Sequence, residues 1–168
     1  MQGKYRVFAV AAVTALALAG VAFGATKAVI VGTPGNDTLW GTPNADVMYG
    51  KAGDDALHGR AGNDVIYGDR GDDVLRGGDG RDVLYGGYGN DSIWGGLDAD
   101  IEYGGPGDDT LHSLANDNAV DILDCGPGDD TAFVNARKYN AHLIKVHGCE
   151  KVVLVSPDSP DVSQDTGE

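Results

Sequence analysis

The sequence predicts an all-β chain made by stacking very short strands, and three periodicities predict it. From Gly32 the chain divides into nine consecutive nonapeptides with no insertion, opening at Gly32, Gly41, Gly50, Gly59, Gly68, Gly77, Gly86, Gly95 and Gly104. The eighth residue is apolar in eight of the nine (Leu39, Met48, Leu57, Ile66, Leu75, Leu84, Ile93 and Leu111), and Glu102 is the exception. The ninth residue alternates with unit parity: Tyr49, Tyr67, Tyr85 and Tyr103 recur every 18 residues, and Trp40, His58, Arg76, Trp94 and His112 fill the units between. A strand that offers one inward side chain buries too little to fold by itself, so stability has to come from stacked copies. The 18-residue alternation makes one coil out of two units and lays a tyrosine row along one outer face.

Each unit begins with a turn. Glycine opens every unit and is fourth in seven of the nine, with Asn44 and Asp98 in the other two. At these two positions glycine permits positive φ and close backbone approach, and Asn and Asp tolerate the left-handed region better than other side chains. Three extended residues follow, the eighth pointing inward and the seventh and ninth outward. The sixth residue is always aspartate: Asp37, Asp46, Asp55, Asp64, Asp73, Asp82, Asp91, Asp100 and Asp109. After His112 three residues are added, Ser113 to Ala115, and two degenerate units follow, 116–124 with Asp121 and Leu123, and 125–133 with Gly128 and Asp130. A disordered glycine-rich chain needs no inward residue in fixed register, so the register argues for a fold. Carboxylates stacked at the strand spacing of about 4.8 Å repel one another unless something neutralises them.

Gly86 to Trp94 (GGYGNDSIW) and Gly77 to Tyr85 match G-G-x-G-x-D-x-U-x at every defined position, U being a large aliphatic. Nine units in this register resemble the repeats-in-toxin (RTX) family, whose nonapeptides bind Ca²⁺. The resemblance implies a right-handed parallel β-roll, a two-sheet β-solenoid of 18 residues per coil, with calcium between the turns of units n and n+2. It implies carboxylate ligands from Asp37, Asp46, Asp55, Asp64, Asp73, Asp82, Asp91, Asp100, Asp109, Asp121 and Asp130. Carbonyl ligands are implied from the turn glycines Gly53, Gly62, Gly71, Gly80, Gly89 and Gly107. Such a set suits a hard cation that takes 6–8 oxygens, and seven n, n+2 pairs in the unbroken run give about seven ions at most.

Of the 168 residues 27 are glycine, and the formal charge is −14. That balance speaks against nucleic acid or an anionic membrane as a principal partner and for cations. Residues 1–24 read as a secretory signal peptide, with Lys4 and Arg6 ahead of the uncharged run Val7 to Phe23 and small residues at the cut. Residues 25–31 form a lead-in, 32–133 the repeats, 134–155 a small C-terminal cap, and 156–168 a disordered tail rich in Pro, Ser and Asp. Cys125 and Cys149, the only cysteines, are expected to pair in an exported chain.

No His-Glu-x-x-His or Gly-x-Ser-x-Gly occurs, so the expectation is a secreted, non-enzymatic calcium-binding repeat protein that folds on calcium or is stabilised by it. The alternative is an extracellular adhesion or matrix protein whose face of Tyr49, Tyr67, Tyr85 and Tyr103 meets a glycan, a cell surface or a protein. A buried unpaired glutamate is costly. Glu102 therefore reads as a local defect, with Ile101 turned inward in its place, rather than as an extra carboxylate at a specialised site. His58 and His112, three coils apart on one face, read as solvated side chains.

Overall fold

A computed structural model of the chain describes residues 27–137, 143–156 and 158. The signal peptide expected at residues 1–24 and the expected tail beyond residue 158 lie outside the described residues.

Among the described residues, two seven-stranded parallel sheets take the strands by strict alternation. One holds β1 (Val29–Val31), β3 (Val47–Ala52), β5 (Val65–Arg70), β7 (Val83–Tyr88), β9 (Ile101–Tyr103), β11 (Asp121–Asp124) and β13 (Ile144–His147). The other holds β2 (Thr38–Trp40), β4 (Ala56–Ala61), β6 (Val74–Asp79), β8 (Ser92–Leu97), β10 (Thr110–Ser113), β12 (Thr131–Asn135) and β14 (Lys151–Val155). This is the expected two-sheet solenoid, one coil per two nonapeptides.

Eighth-position residues pair with their counterparts 18 residues on. In one sheet the row runs Ile30, Met48, Ile66, Leu84, Glu102, Leu123. In the other it runs Leu39, Leu57, Leu75, Ile93, Leu111, Ala132. The two rows form the core, and from Met48 to Ala132 each of these side chains is essentially inaccessible. Ser113 to Ala115 lengthen one coil, so Glu102 pairs with Leu123 and Leu111 with Ala132 at a spacing of 21, and the sheet order is undisturbed. Glu102 therefore does face inward, 1 % exposed, and Ile101 does not replace it. The strand register holds the whole ladder, and turning one residue over would break its pairing with both neighbours.

The roll extends past the repeats at both ends. Ile30 in β1 continues the inward row before the first opening glycine, and β13 and β14 add a last strand to each sheet. Cys125 and Cys149 are disulfide-bonded with Cα atoms 5.2 Å apart, tying the last repeat to the turn between those two strands.

The corners revise the reading of the glycines. Left-handed φ occurs at the fourth position, as in Gly71 (127°) and Asp98 (75°), but also at the second, where Lys51 (91°), Arg60 (85°) and Asp69 (76°) adopt it without being glycine. The first-position glycines are not left-handed; they are required by close approach alone. Units one and two turn differently, with no positive φ at Thr33, Gly35, Thr42 or Asn44. There the Thr33 and Thr42 amides donate to the carboxylates of Asp37 and Asp46 at 2.5 and 2.6 Å, closing each turn by a local hydrogen bond.

Leu75 lies mid-stack with leucine and isoleucine on either side in its row. Leu75→Ala is expected to lower the unfolding free energy of the folded protein by about 2–5 kcal/mol, read from denaturant midpoints at fixed calcium.

Candidate metal centre

The sixth-position aspartates form a ladder along each edge of the roll. The amide of each donates to Oδ1 of the aspartate one coil further on: Asp37 to Asp55 (2.7 Å), Asp55 to Asp73 (2.8 Å), Asp73 to Asp91 (2.9 Å), Asp91 to Asp109 (2.8 Å) and Asp109 to Asp130 (2.7 Å). Along the other edge the amides of Asp46, Asp64, Asp82 and Asp100 donate to Asp64, Asp82, Asp100 and Asp121. Each such amide is an edge donor at a corner, where the sheet supplies no carbonyl for it. The ladder ends on Glu150, whose Oε2 accepts from the Asp130 amide at 2.9 Å.

The second oxygen of most of these carboxylates is left over. Oδ2 of Asp55, Asp64, Asp73, Asp82, Asp91, Asp109 and Asp130 is buried without a hydrogen-bond partner, in residues no more than 2 % exposed. Buried carboxylate oxygens in that state are expensive, and seven of them in one small roll require an explanation. Six of them, all but that of Asp130, lie beside an opening glycine. A Cβ on Gly68 would overlap both Oδ2 of Asp73 and the carbonyl of Gly86 on the next coil, and the same trio recurs at Gly50, Gly59, Gly77 and Gly86. At Gly104 the carbonyl is that of Cys125. The bare first-position Cα thus leaves a seam between coils in which a carboxylate oxygen and a main-chain carbonyl converge.

Oxygen donors of this kind, one carboxylate plus carbonyls, fit a hard divalent cation such as calcium. Among the described residues no three His, Cys, Asp or Glu side chains gather into a cage, so the main chain has to furnish much of any coordination shell. The fourth-position carbonyls expected as ligands are stacked along the axis: that of Gly53 faces the Cα of Gly71, and that of Gly71 faces Gly89. The carbonyls that share the seam with the free Oδ2 atoms are those of the first position, which sequence reasoning did not single out. Three of the aspartates are already engaged at Oδ2, Asp37 and Asp46 by their threonines and Asp121 by the Ser113 hydroxyl at 2.5 Å.

Burial holds these carboxyls well above the ordinary aspartate range. Asp64 rises to about 6, Asp73 to about 7, Asp82 to about 8, Asp91 to about 7 and Asp109 to about 6. The amide from the preceding coil opposes the rise, and the neighbouring carboxylates add to it. The shift is largest in the middle of the stack, where coils cover the group on both sides.

The outer faces are stacked on themselves. Tyr49, Tyr67, Tyr85 and Tyr103 lie 4.8–5.0 Å apart with nearly parallel rings, so both faces of Tyr67 and Tyr85 are covered by neighbours. On the opposite face His58 stacks on Trp40 at 4.0 Å, and His112 lies between Trp94 and Phe133. Arg76 covers Trp94 at 4.5 Å. The two histidines are therefore half-buried members of an aromatic stack rather than solvated side chains.

Two outcomes follow for the seams. A raised carboxyl pKa favours the folded state while the group is protonated, and that contribution disappears as pH climbs from the unfolded value to the folded one. In chelator, the roll is expected to be most stable near pH 4 and to lose stability progressively up to about pH 8, checked by denaturant unfolding across that range. Gly68→Ala is expected to reduce the number of calcium ions bound in equilibrium dialysis, because its methyl fills a seam. Gly35→Ala meets open space within 4 Å and should leave the number unchanged.

The comparison with known proteins agrees with this geometry. The family described as RTX calcium-binding nonapeptide repeat matches in overlapping stretches, 28–57, 40–75, 49–84, 67–102 and 76–111, which together take in half of the chain. No curated protein matches it. The matched stretches are the coils that carry the opening glycines and the aspartate ladders, and the chain belongs to the RTX calcium-binding nonapeptide repeat family.

Proposed function

We propose that the protein is an exported calcium-binding module whose folding is completed by the ion, and that it carries no catalytic chemistry of its own. The observation that carries this is the set of seven buried Oδ2 atoms with no hydrogen-bond partner, six of them set in a seam beside an opening glycine. Bound calcium would supply the positive charge that offsets the stacked carboxylates. The chain's part is to hold Oδ1 with an amide, keep Oδ2 directed into the seam, and leave room there by the missing side chain of the opening glycine. With one ion at each free Oδ2 the roll would hold about seven, at affinities on the order of 10⁻⁴–10⁻³ M as in other extracellular modules. Export is supported by the basic and apolar leader pattern of residues 1–24 and by the Cys125–Cys149 disulfide, a bond that persists in oxidising compartments. Calcium is plentiful outside cells, so such a chain would fold where the ion is available.

Binding that exists only in the folded state appears as folding free energy. Circular dichroism of the chelated protein during calcium titration should show a cooperative gain of β signal in the millimolar range or below. A full β signal that ignores chelator would sink the proposal.

A further inference from the structure

Glu102 and the insertion Ser113–Ala115 are two departures from the repeat, and the structure places them at the same seam. In eight of the nine nonapeptides the oxygen that crowds the opening glycine, besides the unit's own aspartate, is a main-chain carbonyl from the next coil. At Gly95 it is a side chain. A Cβ there would lie 2.5 Å from Oδ2 of Asp100 and 2.8 Å from Oε1 of Glu102. The coil that should supply the carbonyl is the lengthened one. By strand register the residue opposite Gly95 is Ser113, the first of the three inserted residues. Oε1 of Glu102 also accepts the Gly95 amide at 2.9 Å, which fixes the carboxylate at the opening of the seam. The adjoining seam is of the ordinary kind: the buried Oδ2 of Asp82, without a hydrogen-bond partner, meets the Gly95 carbonyl beside Gly77.

We propose that Glu102 is a calcium ligand particular to this chain, its Oε1 standing beside Gly95 where the other opening glycines meet a main-chain carbonyl, and joining Asp100 in a seam with two carboxylates. A glutamate in a row of aliphatic side chains is then no defect. It supplies, at the lengthened coil, the second oxygen that the other seams take from the main chain. Two carboxylates at one seam also give this position more negative ligand charge than the one-carboxylate seams elsewhere, and ligand charge is one of the quantities that set calcium affinity.

The proposal rests on the calcium reading of the roll, and the test separates the two. The parent, Glu102→Gln and Glu102→Leu are compared by equilibrium dialysis and calorimetric titration with calcium alone, with circular dichroism recorded at saturation. Gln keeps the size and the amide hydrogen bond without the charge, and Leu restores the aliphatic usual at the eighth position. The expected result is one ion fewer in each variant, with the parent's β signal at saturation. In chelator near pH 4, where the protonated carboxyls favour the folded state, Leu should also raise the denaturant midpoint, because it removes a buried carboxyl group. Unchanged ion number and affinity in both variants would overturn the role of Glu102 while leaving the other seams intact. A parent that binds no calcium would overturn both readings.

Discussion

The structure depends on one constraint: carboxylates have to stack at the strand spacing inside seams that water does not reach. The sixth-position aspartate cannot be spared, because its Oδ1 takes the amide that the corner leaves without a carbonyl, as Asp73 does for Asp55. One oxygen solves a backbone problem and the other creates an electrostatic one. From that follow the bare opening glycines, the carboxyls pushed to between about 6 and 8, and a core whose inward row needs only one aliphatic residue per unit. The chain's charge of −14 has the same origin, since many of its acidic residues are committed to ladders rather than dispersed over a surface.

What the sequence made legible was whatever repeats. Strand register, coil length and inward row all came from periods of nine and 18, because a solenoid maps sequence period directly onto space. The tyrosine alternation was enough to separate two sheets. Less legible were features that leave no mark on composition. Lys51, Arg60 and Asp69 take left-handed φ at the second position, where nothing about their chemistry announces it. The first-position glycines looked like turn residues and turn out to be spacers. The inward position of Glu102 was missed for a physical reason: burial cost was weighed for one side chain, without the Gly95 amide that meets it.

Stacking also changes what the outer faces mean. A row of aromatic residues on a flat sheet suggests a platform for ligands, but at the spacing of parallel strands the rings meet each other first. Tyr67 is covered by Tyr49 and Tyr85, and Trp94 by Arg76 and His112. Such ladders add roughly 0.5–1.5 kcal/mol per pair beyond area burial. They support the coil-to-coil contact that the carboxylates oppose.

The two ends are closed by contacts of their own. At the start, Thr33 and Thr42 close their turns on Asp37 and Asp46 with amide hydrogen bonds, so these two carboxylates are met locally. At the far end Glu150 accepts the last ladder amide, and the disulfide, which closes a 24-residue interval, contributes about 3 kcal/mol on the chain-entropy estimate. Between them lie the carboxyls most strongly displaced, with Asp82 at the maximum. A one-dimensional stack in which each coil touches only its neighbours transmits such a cost to the adjacent coils. The electrostatic penalty is therefore concentrated in the middle of the stack, away from the threonine-closed turns at one end and the disulfide at the other.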